Sequence, residues 1–178
     1  MIMKKSIIAF VISGFLMMSC NSNPSLESYY VTNSENKNFI QVDVSPSVLN
    51  IDKSKLSTSE TTALNSFNKM NILAFKGNDK NKAEYEAERL KVAAILKDEK
   101  YQQLTKFGSV QKSAQVSFIG TDDKISEFVL FAKSEEKGFA IVRVLGKDMN
   151  INSVMSLISI LKNSNIDNES LKELKELL

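Results

Sequence analysis

Three consecutive stretches decide the fold of this chain: VQKSAQVSFI at 110–119, ISEFVLFAK at 125–133 and FAIVRVL at 139–145. Each is an extended, mostly apolar run, and only the short polar turns GTDD at 120–123 and EEKG at 135–138 separate them. Short turns between such runs are typical of antiparallel hairpins. The middle run contains FVLF at 128–131, so we expect it to lie centrally in the sheet with both faces at least partly covered.

Two further strands are predicted upstream. Apolar and polar residues alternate over 40–45, where IQVDVS precedes a proline, and this pattern predicts a strand with one buried face. Residues 72–75 form a second extended run. Between the two, Ser57 and Glu60 have the spacing of a capping box, so a short helix begins there. Its helical spacing continues through three apolar residues, Leu64, Phe67 and Met70.

A long helix is predicted after the polar turn at 78–81, because residues 82–107 contain neither glycine nor proline. Small and apolar residues recur in it at intervals of three and four: Ala83, Ala87, Leu90, Ala94, Tyr101 and Leu104. We expect a bend near Asp98 and an end before Gly108. Another helix is predicted from Asn150, and a short one over 168–178.

The element order is therefore β-α-β-α-β-β-β-α with a small terminal helix. It predicts an α+β domain over 38–178, with helices packed on a largely antiparallel sheet of about five strands. Residues 20–37 are predicted to form a flexible tether, because NSNPSLESYYVTNSENK at 21–37 is rich in Asn and Ser and lacks an apolar period. Tyr29 and Tyr30 are expected on the rim of the domain or in an added edge strand.

The N-terminal residues 1–19 are predicted to be a lipoprotein signal peptide. Lys4 and Lys5 precede an apolar run over 7–18, and small Ser19 precedes Cys20, the single cysteine of the chain. The order resembles the lipobox of bacterial lipoproteins, which implies cleavage between Ser19 and Cys20 and acylation of Cys20, although Leu16 lies one position farther from the cysteine than usual. The alternative is an ordinary secretory signal that is cut nearby.

The charge balance excludes nucleic acid as an expected partner. Removal of residues 1–19 takes two lysines and no acids, so the 23 basic and 21 acidic residues of the full chain become equal in number. A mature chain without net charge offers no general attraction to polyanions. With one cysteine, no disulfide can form within the chain, and the core must supply the stability.

No cofactor or metal is predicted. The chain has no histidine, and its one cysteine is assigned to the anchor, so transition metals lack their usual ligands. The loop that begins at Asp79 departs from a calcium-binding loop at three positions, and Asp122 and Asp123 are expected to be solvated turn residues.

No catalytic residues are predicted either. The pattern S-x-x-K occurs five times, as Ser34/Lys37, Ser66/Lys69, Ser109/Lys112, Ser134/Lys137 and Ser159/Lys162, which is what a chain rich in Ser and Lys gives by chance. The companion motifs of serine enzymes with a lysine base are absent. Glu84, Glu86 and Glu88 are expected on a solvated, ion-paired helix face.

Arg143 is the one internal residue that stands out as a candidate binding residue. It shares one face of a predicted core strand with Phe139, Ile141 and Leu145. A buried guanidinium needs a carboxylate or carbonyl partner. An arginine at the rim of the sheet, paired with an acid on a helix, is favoured over an anion-binding site.

Five stretches together resemble a known family of bacterial envelope proteins, domain of unknown function 4252: NFIQVDVSP at 38–46, MNILAFKG at 70–77, YQQL at 101–104, KISEFVLF at 124–131 and FAIVRVLGKDMNI at 139–151. The resemblance implies an exported, often lipid-anchored α+β domain. It brings no established catalytic residues, so no functional position is transferred to this chain.

The sequence therefore predicts a lipid-anchored cell-envelope protein that is a non-catalytic binding or protein-interaction module. Its expected partners are the membrane, through Cys20, and an envelope protein. Asn21 after the cysteine resembles the signal for the outer membrane, facing the periplasm. The alternative is a small envelope hydrolase or a carrier of an apolar ligand that acts on lipid or glycan, and a deep pocket would favour it.

Overall fold

The computed structural model describes residues 24–49 and 51–156. Its six strands form one sheet and are β1 Phe39–Val44, β2 Phe67–Lys76, β3 Gln102–Gly108, β4 Lys112–Thr121, β5 Lys124–Ser134 and β6 Gly138–Met149. The helices are α1 Leu26–Asn33, α2 Thr58–Ser66 and α3 Lys82–Ile95, and residues 151–156 are also helical. The predicted α+β class is confirmed, with six strands where about five were expected.

The sheet is antiparallel throughout, in the order β1-β2-β6-β5-β4-β3. The predicted meander of β4, β5 and β6 is confirmed, and β5 lies between the other two. Its FVLF run places Phe128 and Leu130 on one face, and Val129 and Phe131 on the other. Phe128, Val129 and Phe131 are buried, which confirms the central, two-sided position predicted for this run.

Each face of the sheet carries its own helices. Helices α1 and α3 cover the first face, where an aromatic cluster forms the core around stacked Phe75 and Phe139, whose ring centroids are 5.5 Å apart. We call this the aromatic face. Helix α2 and residues 151–156 cover parts of the second face, over a more aliphatic core around Leu64, Ile72 and Phe128. We call this the aliphatic face.

Helix α1 corrects the prediction of a flexible tether, which is wrong for residues 26–33. The side chain of Ser25 caps the helix by accepting from the Ser28 N–H, and Leu26, Tyr29 and Tyr30 are buried in the aromatic core. The Tyr30 hydroxyl donates to the carbonyl of Ile141 on β6 at 2.9 Å. Two tyrosines that were expected at the rim are therefore central to the core.

Two helix ends also differ from the prediction. The capping box at Ser57 is confirmed, but α2 ends at Ser66, and Phe67 and Met70 belong to β2. Helix α3 ends at Ile95, because Asp98 accepts from the Lys100 N–H and forms a local turn that competes with the helix. The residues that follow form β3, which accounts for the sixth strand. The predicted helix at 168–178 lies outside the described residues.

Candidate interaction site

Arg143 lies inside the sheet, not at its rim. On β6 it pairs with Asn71 of β2 and Val129 of β5, and its side chain is 16% exposed. Its Nη2 donates to Glu127 Oε2 at 2.8 Å. The predicted pairing with a helix acid is wrong, because β5 presents Glu127 to Arg143 on the same face of the sheet.

The Arg143–Glu127 pair is enclosed. Burial alone would lower the pKa of Arg143, but the hydrogen bond and the charge of Glu127 outweigh it, so this pKa lies above its ordinary value. The Tyr101 hydroxyl lies 3.5 Å from Glu127, and Arg143 Nε has no partner within the described residues. This is the geometry of a structural ion pair, and a binding role for Arg143 stays a prediction.

The acids of α3 are each engaged locally. Glu88 is 8% exposed and accepts from the Tyr29 hydroxyl at 2.8 Å and from Lys91 at 2.6 Å. Glu84 accepts from the side chain of Asn38, the residue before β1, and Glu86 pairs with Arg89. The expectation of a solvated face therefore fails for Glu88, which ties α3 to α1.

The serines of the S-x-x-K patterns serve local structure. Ser66 donates to a carbonyl at the end of α2, Ser34 does the same after α1, and Ser109 and Ser134 accept backbone N–H groups in turns. The pair Ser159/Lys162 lies outside the described residues. Over residues 24–49 and 51–156, no three His, Cys, Asp or Glu side chains lie close enough to hold a metal ion.

Strand β3 forms one edge of the sheet, and its outer side has no neighbouring strand in the described part of the chain. All seven of its residues are exposed. Two are large and apolar, Leu104 at 39% and Phe107 at 58% exposure, and Val110 in the following turn is 73% exposed. Exposed backbone donors and acceptors beside apolar side chains are typical of a strand-binding edge.

A trough of about 390 Å³ adjoins this edge on the aliphatic face. Ala114, Ala132 and Ala140 are paired across β4, β5 and β6 and form its floor, with Phe107 on the β3 side. Lys112 and Lys137 also line it. The β3 edge together with the trough is the candidate interaction site.

Sequence reasoning missed this site because it extended α3 through Leu104. The available signals were the turn-forming Asp98 and the sequence QLTKFG at 103–108, which contains the strand formers Thr105 and Phe107.

The predicted cleavage and lipidation residues, Ser19 and Cys20, lie outside the described residues. No helix among residues 24–49 and 51–156 is long and apolar enough to cross a membrane.

The comparisons place the chain in one family. No curated protein matches it, and no solved structure matches it. The model of the family described as Domain of unknown function (DUF4252) matches residues 29–157, a range that begins inside α1 and includes all six strands. The chain belongs to this family.

Proposed function

We propose that this protein is a lipid-anchored cell-envelope module without catalytic activity, which binds another envelope protein through the β3 edge. The observation that carries the proposal is the edge itself: seven consecutive exposed residues whose outer side has no neighbouring strand among the described residues. The anchor is the acylated Cys20 predicted from the sequence, in the outer membrane facing the periplasm.

The proposed partner contributes an extended segment that pairs with β3. Main-chain hydrogen bonds would supply affinity, and contacts with Leu104 and Phe107 would supply selectivity. The edge also carries Lys106 and a bulge between Gln103 and Thr105, both of which discourage uncontrolled pairing of sheet edges. These features favour a specific partner over self-association of the chain.

The trough favours a second candidate, a carrier of an apolar ligand. Its volume of about 390 Å³ falls in the range of small-molecule pockets. If this candidate is correct, Ala132→Phe reduces binding of an acyl-chain probe and leaves partner binding by β3 unchanged.

Site-directed photo-crosslinking in a diderm bacterium tests the proposal. A photoreactive phenylalanine analogue at Leu104 is expected to trap one discrete partner, and Phe107→Lys in the same chain is expected to abolish this adduct. A matched control places the analogue at Val31, which is 70% exposed on α1, and should not trap that partner. An adduct of twice the mass of the chain, or one insensitive to Phe107→Lys, would contradict the proposal.

The anchor has its own test. Intact mass and membrane fractionation of the native protein are compared with those of Cys20→Ser. We expect the native mass to equal residues 20–178 plus acyl chains, and the variant to lose both the acyl mass and the membrane association. A soluble, unmodified native protein would refute the anchor and leave the test of the β3 edge intact.

A further inference from the structure

The hairpin of β3 and β4, residues 101–121, carries positive charge and no negative charge. Its two charged side chains are Lys106 on β3 and Lys112 at the start of β4, and the stretch contains no Asp or Glu. The chain as a whole is nearly balanced, with 23 basic and 21 acidic residues. The open edge of the sheet is therefore a locally basic part of an almost neutral chain.

Lys106 is the cation that lies on the open edge itself. It is exposed and forms no ion pair with any of the described residues. Its neighbour across β4 is Gln115, and Phe131 follows on β5, so this row of the sheet carries no acid. Lys112 is a weaker candidate, because the acidic turn between β5 and β6 is hydrogen-bonded to the backbone beside it.

The acids that flank the hairpin are too far away to neutralise Lys106. Glu99 precedes the hairpin and Asp122 follows it, so both lie at its base. Seven extended residues separate Glu99 from Lys106, which corresponds to about 20 Å along the strand. The Debye length is about 8 Å at physiological salt, so the charge at Lys106 is available to a partner.

The backbone of Lys106 faces the open side of β3. The Ser109 N–H donates to the Lys112 carbonyl at 2.6 Å, and the register of 105–108 with 113–116 has no irregularity. Backbone groups of an antiparallel strand point to alternate sides, so every second residue back from Ser109 bonds to β4. The N–H and C=O of Lys106 therefore point outward, where an added strand would bond to them.

The neighbours of Lys106 lie on the opposite face of the sheet. Thr105 pairs with Val116 and Phe107 pairs with Ala114, both on the aliphatic face, and Phe107 also lines the trough. A residue of an added strand that pairs with Lys106 would place its side chain beside the ammonium group. The residues before and after it would lie beside Thr105 and Phe107, because side chains alternate between the two faces.

We propose that the β3 edge selects an extended peptide segment that carries a carboxylate opposite Lys106 and an apolar residue on each side of that carboxylate. This inference rests on the proposed function and names the chemistry of its partner. Opposite charges in a cross-strand pair are favourable, whereas a second copy that paired about Lys106 would bring two lysines together. A polyanion is a poorer match, because it would need a row of basic side chains.

Photo-crosslinking of the full chain in a diderm bacterium, with the phenylalanine analogue at Leu104, is followed by mass spectrometry of the trapped peptide. We expect the trapped segment to contain Asp or Glu between two apolar residues. In the same chain, Lys106→Glu is expected to lower the yield of the adduct about fivefold, whereas Lys106→Arg should keep the yield within about twofold. A lysine in place of the partner's carboxylate should restore the yield with Lys106→Glu.

A matched control separates this pair from general electrostatic attraction. Lys80→Glu makes the same charge change at an exposed position in the loop before α3, and it should leave the yield unchanged. Equal losses with Lys80→Glu and Lys106→Glu would overturn the inference, and so would a trapped segment without a carboxylate.

The same experiment distinguishes failure of this inference from failure of the proposed function. An adduct that survives Lys106→Glu but is lost with Phe107→Lys would overturn the inference and leave the proposed function intact. A crosslink within one chain, from Leu104 to residues 157–178, would refute both, and so would the absence of any adduct.

Discussion

At the scale of single residues, the Arg143–Glu127 pair makes the clearest prediction. Both side chains are largely buried, at 16% and 6% exposure, so removal of one leaves an unpaired charge in the core. We expect Arg143→Leu to lower the free energy of unfolding by about 3–5 kcal/mol, as measured by urea denaturation.

The double variant Arg143→Leu/Glu127→Leu should recover most of that loss, since it leaves no buried charge. Lys55→Leu serves as the control, because its ion pair with Asp52 is exposed and we expect no measurable change. A loss in the double variant equal to the sum of the single losses would show that the two side chains are not coupled.

The four buried tyrosines predict sensitivity to alkali, and the pKa of each, Tyr85 included, is raised by burial. Burial raises the pKa of Tyr29, Tyr30 and Tyr101 above the ordinary value, and Glu88 or Glu127 adds to the effect at Tyr29 and Tyr101. A raised pKa in the folded state means that the stability is fully present below the unfolded pKa of about 10 and is lost as the pH rises toward the folded pKa. Each tyrosine should contribute a slope of about −1.4 kcal/mol per pH unit above pH 10.

Denaturant unfolding between pH 8 and pH 11.5 measures that slope. Because Tyr85 is also buried and has a raised pKa, Tyr30→Phe should reduce the slope by about one quarter to one third. It should also lower the stability at pH 8 by about 1 kcal/mol, because the bond to the Ile141 carbonyl is lost. If the variant and the native protein gave the same slope, the pKa of Tyr30 would be the same in the folded and the unfolded state.

At the scale of elements, α1 is part of the core. We expect Leu26→Ala to lower the free energy of unfolding by about 2–5 kcal/mol, because the fully buried side chain leaves a cavity in the aromatic core. Val31→Ala on the same helix, at 70% exposure, is the control and should have almost no effect. Thermal unfolding followed by circular dichroism compares the two, and equal losses would contradict the packing of α1.

The elements that sequence reasoning found are those with a strong local pattern. The hairpins of β4, β5 and β6 have polar turns between apolar runs, and α2 has its capping box at Ser57. The elements it missed depend on distant contacts. Residues 67–70 join β2 because β6 and β1 pair with them, which overrides the helical spacing of Phe67 and Met70.

Helix α1 was missed because it is short and lies in a segment rich in Asn and Ser. Its signal was present in the sequence: Ser25 as a cap, with Leu26, Tyr29 and Tyr30 at the spacing of one helix face. Only the polar turns beside the candidate interaction site could be predicted from the sequence. The β3 edge itself could not, because the order of the strands in the sheet decides which strand lies at an edge.

At the scale of the whole molecule, α1 changes the expected distance between the domain and the membrane. A flexible tether over 21–37 would have a mean span of about 22 Å. The five residues between Cys20 and α1, 21–25, can span at most about 18 Å in any conformation. If Cys20 is acylated, the domain is therefore held close to the lipid surface.

Energy transfer from the domain to acceptors in the bilayer measures this distance. The donor is placed on Val31→Cys, which is exposed on α1 and is the one free thiol when Cys20 is acylated. A flexible insertion of 12 Gly and Ser residues after Asn23 should lengthen the tether and lower the transfer efficiency. Cys20→Ser should abolish membrane-dependent transfer. Equal efficiencies with and without the insertion, in proteins of confirmed acylation, would show that α1 does not set the distance, because the domain would then contact the bilayer by a surface of its own.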